Sequence, residues 1–120
     1  MRGRVAYVAG PYRGDSESEV YANIQNARNI ALQLWKMGYA VICPHLNTAF
    51  FGGAYGLVDE VWLKGDLAII DRLRPGTDIL VLTPDWRASK GAIGEQHKAR
   101  LMGLAVYEWP KVPVAGMVAK

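Results

Sequence analysis

Short apolar runs alternate along this chain with longer stretches of helical period, and that alternation constrains the fold more than any other feature. Arg4 to Ala9 stops at Gly10-Pro11, Ala40 to Cys43 stops at Pro44, Asp78 to Leu82 leads into Thr83-Pro84, and Leu104 to Tyr107 follows Gly103. Runs this short and apolar, bounded by turn residues, read as buried strands. Between the first two, Ile24, Ala27, Ala31 and Leu34 recur at steps of three and four within Tyr21 to about Met37, and Gly38 supplies a C-terminal stop. A second helix is expected from about Asp59 to Leu73, closed by Pro75-Gly76, and a third from Lys90 to Met102, stopped by Gly103. Such an order calls for a parallel sheet with right-handed crossovers. The expected fold is a small Rossmann-like, flavodoxin-like α/β domain with a parallel sheet of four to five strands and helices on both faces. A fifth strand at Val112-Pro113-Val114 is restricted by Pro110 and Pro113 to a sheet edge or to none. Asn47 to Leu57, rich in Gly and aromatics and without a period, reads as a mobile loop near the site.

One hundred and twenty residues suit a single domain spanning 1–120. At 51% hydrophobic and 21% charged the composition is that of an ordinary globular protein, which sets aside disordered and fibrous readings. No apolar run approaches the roughly 18 residues of a membrane span, and no signal-peptide core opens the chain. The expected compartment is therefore the cytoplasm, with no membrane partner. Cys43 stands alone, and with His45 and His97 it forms no zinc set at a standard spacing, so no disulfide, metal or cofactor is expected. The net charge of +3 suits anionic ligands, but the fourteen Lys and Arg are scattered, which speaks against a nucleic-acid polymer as partner.

Ligands of open parallel sheets sit beyond the C-terminal ends of the strands, where strand order reverses. That edge receives Gly10, Pro11, Tyr12, Arg13 and Gly14 from the first strand, His45 and Asn47 from the second, and Thr83, Asp85, Trp86 and Ser89 from the third. Asp78 begins its strand, lies at the opposite edge, and is excluded as a catalytic group. Ser89-Lys90-Gly91-Ala92-Ile93-Gly94-Glu95 opens a helix with few bulky side chains, so its unpaired N–H groups and partial positive charge offer a seat for a phosphate. Glu95 is one turn deeper on the face of Gly91. At roughly 100° per residue, Asp66 shares its face with Asp59, Trp62, Leu63, Ile69, Ile70 and Leu73, and Glu95 shares its face with Gly91, Ala92, Ala99 and Met102. Both acids should therefore point inward, where burial raises a carboxyl pKa or demands a partner. Two carboxyl groups with separated pKa values are the usual equipment for cleaving a glycosidic bond.

Tyr7-Val8-Ala9-Gly10-Pro11-Tyr12-Arg13-Gly14, Asp66 and Ser89 to Glu95 together resemble the nucleoside 2-deoxyribosyltransferase superfamily, over about Tyr7 to Tyr107. The Arg after the first strand and the Ser before the helix look most like the branch of 2'-deoxynucleoside 5'-phosphate N-hydrolases. Transferases acting on unphosphorylated nucleosides have an acid where this chain has Ser89. The resemblance implies an enzyme in which Glu95 attacks C1' of the sugar, Tyr7 orients Glu95, and Asp66 serves the sugar or the departing base. It implies a 5'-phosphate held by Arg13 and Ser89; the strand ends and the helix start add Gly10, Pro11, Gly14, Gly91, His45 and Asn47 as further candidates for substrate binding, with no role assigned to His45 or Asn47. It also implies a homodimer or higher assembly in which a neighbour's loop helps close the site. This chain is short for the superfamily, and its tail after Trp109 matches none of its motifs.

Each candidate also has a plainer use. Ser89 can be a helix cap, Gly91 and Gly94 can serve close packing, and Arg13 can be a solvated loop residue. Glu95 can pair with Lys98 or Lys90, and Asp66 with Lys64 or Arg72. Tyr7 can be core, His45 and Asn47 ordinary loop residues, and Trp86 a packing residue. The expected activity is hydrolysis of the base–sugar bond of 2'-deoxynucleoside 5'-monophosphates. The alternatives are base exchange by a deoxyribosyltransferase and a nucleotide-binding module without turnover.

Overall fold

The two central apolar runs, Val5–Ala9 and Ile79–Leu82, form strands where expected because both of their faces are covered, which favours continuous aliphatic sequence over alternation. A computed structural model describes residues 3–47 and 59–115, with the side chains of Asn47 and Asp59 left out. Strands β1 (Val5–Ala9), β2 (Ala40–Ile42), β3 (Ile79–Leu82) and β4 (Ala105–Glu108) make one parallel sheet in the order β2-β1-β3-β4. Helices α1 (Glu17–Lys36), α3 (Asp59–Asp71) and α4 (Lys90–Met102) flank it, and α2 (Pro44–Asn47) is a single turn after β2. This is the expected α/β architecture with four strands. Among the described residues no helix is long and apolar enough to cross a membrane.

Alternate residues of each strand divide between two cores. Ala6, Val8, Ile79 and Val81 pack with Ala27, Ile30, Ala31 and Leu34 of α1. Tyr7, Ala9, Leu80 and Leu82 pack with Ile70 of α3 and with Ala92 and Ala99 of α4. The chain leaves β1 for β2 on one side and returns past it to β3 on the other, so a crevice opens at the C-terminal ends of β1 and β3.

Helix α1 starts four residues before the expected Tyr21. Ser16 caps it, with Oγ accepting from Glu19 N at 3.2 Å, while Glu19 Oε2 accepts from Asp15 N at 2.6 Å. This is a reciprocal cap of the kind that starts helices in polar sequence. At the other end Gly38 takes a left-handed φ of 99°, which turns the chain into β2.

Two expectations are corrected here. Val112-Pro113-Val114 forms no strand among the described residues. Val112 and Ala115 instead pack with Trp109 against the α1-side core, Tyr39 Oη donates to Pro113 O at 2.7 Å, and Ala115 N donates to Met37 O at 3.0 Å. Pro44 ends β2 as expected but also starts the turn of α2. The expected loop falls, from residue 48 to Leu57, outside the described residues.

Asp78 occupies the edge opposite the crevice. It is buried, its Oδ1 accepts from Val5 N at 2.9 Å and its Oδ2 from Arg74 N at 2.8 Å. The carboxylate ties the start of β1 to the turn before β3, which is a structural task.

Candidate active site

A cavity of about 570 Å³ fills the crevice. Gly10, Pro11, Tyr12 and Arg13 line it from the end of β1, and Pro44 and His45 from α2. Glu60, Trp62, Leu63 and Asp66 line it from α3, and Ala88 to Ala92 with Glu95 from the start of α4.

Glu95 is 6% exposed, although it sits in a helix with solvent on its far side. Tyr7 Oη donates a short hydrogen bond to Glu95 Oε2. Lys98 pairs with Asp71 at 3.0 Å, so the surface ion pair with Glu95 does not form. Burial first pushes Glu95 up to about 8; the Tyr7 hydrogen bond pulls it down, and the Asp66 charge pushes it up. Burial raises the half-buried Asp66 to about 6. Tyr7 is wholly buried, and burial and the charges of Glu95 and Asp66 hold its pKa far above the ordinary value, so it remains a donor. The two inward acids therefore share one cavity with separated pKa values, and one of them carries a fixed hydrogen-bond donor.

The α4 end of the cavity has a free-standing donor set. Ser89 Oγ accepts from Ala92 N at 3.1 Å, and Ser89 O accepts from Ile93 N at 3.0 Å. Ser89 is thus a helix cap, as the plainer reading has it, and also lines the cavity. The N–H groups of Lys90 and Gly91 have no partner within the helix, as the geometry of a helix start requires. Arg13 is exposed and lines the same cavity from the β1 side.

His45 is 5% exposed, and its Nε2 lies 2.8 Å from Pro11 O. A carbonyl only accepts, so Nε2 carries the proton and Nδ1 is the lone-pair nitrogen. Burial depresses the His45 pKa and keeps the ring neutral. Nδ1 is buried and has no hydrogen-bond partner among the described residues. The Asn47 side chain lies outside the described residues.

The two glycines after β1 differ in place. At Gly10 an added Cβ would lie 2.3 Å from Thr83 Oγ1, so β1 and β3 can meet at the crevice only with hydrogen in that position. Gly10→Ala is expected to cost about 1–3 kcal/mol through overpacking, read as a lower urea midpoint at unchanged slope. Gly14 does not line the cavity; its Cβ would lie 2.4 Å from Glu19 Cβ, and its smallness seats the loop on α1.

Sequence reasoning brings Tyr12 to this edge and Lys90 to the helix start without giving either a role, and it does not single out Glu60 as a cavity residue. Trp62 and Leu63 were legible, since they share the Asp66 face. Trp86 packs as the plainer reading had it, with Nε1 donating to Glu108 Oε1 at 2.9 Å and the Arg87 guanidinium stacked 4.5 Å from its ring centre. A family model described as a domain of unknown function (DUF4406) matches residues 4–108. No curated protein matches the chain.

Proposed function

The chain belongs to the DUF4406 family, and on the geometry of its cavity we propose that it is an N-glycosidase of 2'-deoxynucleoside 5'-monophosphates. The observation that carries this reading is the buried Glu95, hydrogen-bonded by Tyr7 one helical turn inward from the Ser89-capped start of α4. The rise from Gly91 to Glu95 is about 6 Å, the scale of a sugar ring between its phosphate and its anomeric carbon. A phosphate on the helix start and Arg13 would thus bring C1' to the carboxylate, turning remote binding energy into orientation.

In the proposed reaction a Glu95 oxygen attacks C1' as the bond to the base nitrogen breaks, and the bonding pair leaves with the base. Asp66 serves the departing base or the sugar hydroxyls: Glu95, with the higher pKa, gives up its proton to become the attacking carboxylate, and Asp66 passes that proton to the base. Water then attacks C1', the Glu95 carboxylate is released, and the water's proton returns to the acid. The anomeric configuration is retained by this double displacement. Trp62 and Leu63 supply an apolar wall for a planar base. Self-association, implied by the same superfamily resemblance, is part of this proposal.

The test is incubation with each common deoxynucleoside monophosphate, with and without an added free base, followed by chromatography. Free base and deoxyribose 5-phosphate are the expected products. An exchanged nucleotide that appears only with added base assigns the chain to transfer, and no product from any substrate removes the enzymatic reading.

A further inference from the structure

The loop between β1 and α1 brings Pro11, Tyr12 and Arg13 to the cavity wall, yet it belongs to neither strand nor helix. Its three successive carbonyl groups are held by side chains from elsewhere. His45 takes the Pro11 carbonyl. Asn23, in the second turn of α1, takes the next two: its Nδ2 donates to Tyr12 O at 3.2 Å and to Arg13 O at 2.9 Å. An amide NH2 has two hydrogens, so this arrangement uses both. Asn23 itself does not line the cavity and touches the site only through the loop backbone.

Fixing two consecutive carbonyls fixes the peptide planes on either side of Arg13, and with them the direction in which its side chain leaves the loop. The loop is also pinned downstream, where Gly14 lies against Glu19 and Glu19 accepts from Asp15 N. We propose that Asn23 is a positioning residue for the substrate phosphate: by holding the carbonyls of Tyr12 and Arg13, it aims the Arg13 guanidinium at the anion seated on the start of α4. This inference rests on the phosphate reading given above. It adds a residue in α1 to a site otherwise built from the crevice.

Asn23→Asp keeps the shape, removes both hydrogens and sets carboxylate oxygens against two carbonyls. Asn23→Ala removes the amide and leaves the carbonyls to water, and it serves where the Asp variant does not fold. For a deoxynucleoside 5'-monophosphate, either variant is expected to raise KM about tenfold with kcat within about twofold, as the loss of two hydrogen bonds that act through orientation would do. The unphosphorylated deoxynucleoside, which has nothing for Arg13 to hold, is expected to react with unchanged kcat/KM. The preference for the phosphorylated substrate should therefore fall by about the same tenfold. Equal losses on both substrates, or a preference that survives in both variants, would overturn the role of Asn23 alone. A parent enzyme that cleaves both substrates without preference would overturn the phosphate reading, and this inference with it.

Discussion

Glu95→Gln is expected to lower kcat on deoxynucleoside monophosphates by at least about a thousandfold while Kd stays within a few-fold of the parent, as loss of a covalent nucleophile should. Gln has nearly the shape of Glu, and its carbonyl oxygen can still accept from Tyr7 Oη. What it lacks is the negative charge that stabilises an oxocarbenium-like sugar and the electron pair that traps it. The proposed phosphate end of the cavity, at Ser89 and Arg13, is untouched by the change. Single-turnover kinetics and calorimetric binding on both proteins provide the check. A nucleotide-binding module would bind in both forms and turn over in neither, and a variant retaining more than about a tenth of the parent kcat would remove Glu95 from the chemistry.

The same substitution is expected to raise the melting temperature at alkaline pH. Glu95 titrates near 4.5 in its ordinary state and, by burial, at about 8 in the folded protein. As pH rises between these values the unfolded chain releases the proton first, so folding loses stability across that window, and the loss is complete above the higher value. At about 1.4 kcal/mol per pKa unit, the full loss is on the order of 5 kcal/mol. Gln does not titrate and escapes it. The variant should therefore melt on the order of 10 °C above the parent near pH 9, with the gap closing toward pH 5. Circular-dichroism melts across this range test it, and a gap that does not widen with pH would show that Glu95 ionises in the fold without cost.

Much of this fold can be read from the chain because its boundaries carry their own chemistry. Lys90–Met102 is bounded by Ser89, whose oxygen caps one end, and by Gly103, whose φ of 83° closes the other. The inward placement of Glu95 and Asp66 follows from the apolar residues that share their helix faces. Asp78 is set aside by its position at the start of a strand. The start of α1 is harder to see, because Ser16 to Val20 carries a cap rather than an apolar period. The turn of α2 is too short for any period to register, and Val112 to Val114 is apolar because it covers a core rather than because it pairs.

The site divides along the same line. Residues brought to the crevice by strand ends, such as Gly10, Pro11, Arg13, His45 and Ser89, are legible from topology. The bond between Tyr7 and Glu95 spans 88 residues, and no local pattern encodes it; only the pairing of β1 beneath α4, or a family likeness, leads to it. Gly14 shows the converse. Its place beside the motif suggested contact with a ligand, whereas its neighbour is Glu19.

The sheet order sets how such a site can diversify. Proposed nucleophile and phosphate seat both belong to the β1 loop and α4, stretches locked together through β1 and β3, while the apolar wall belongs to α3, reached by a separate crossover. Substitutions at Trp62 or Leu63 can therefore reshape what fits against that wall and leave Glu95 and the helix start of α4 where they stand. If the proposed chemistry holds, a lineage with this arrangement can change its choice of leaving group in small steps at Trp62 and Leu63, provided that Asp66, the one reacting group on the same helix, is kept.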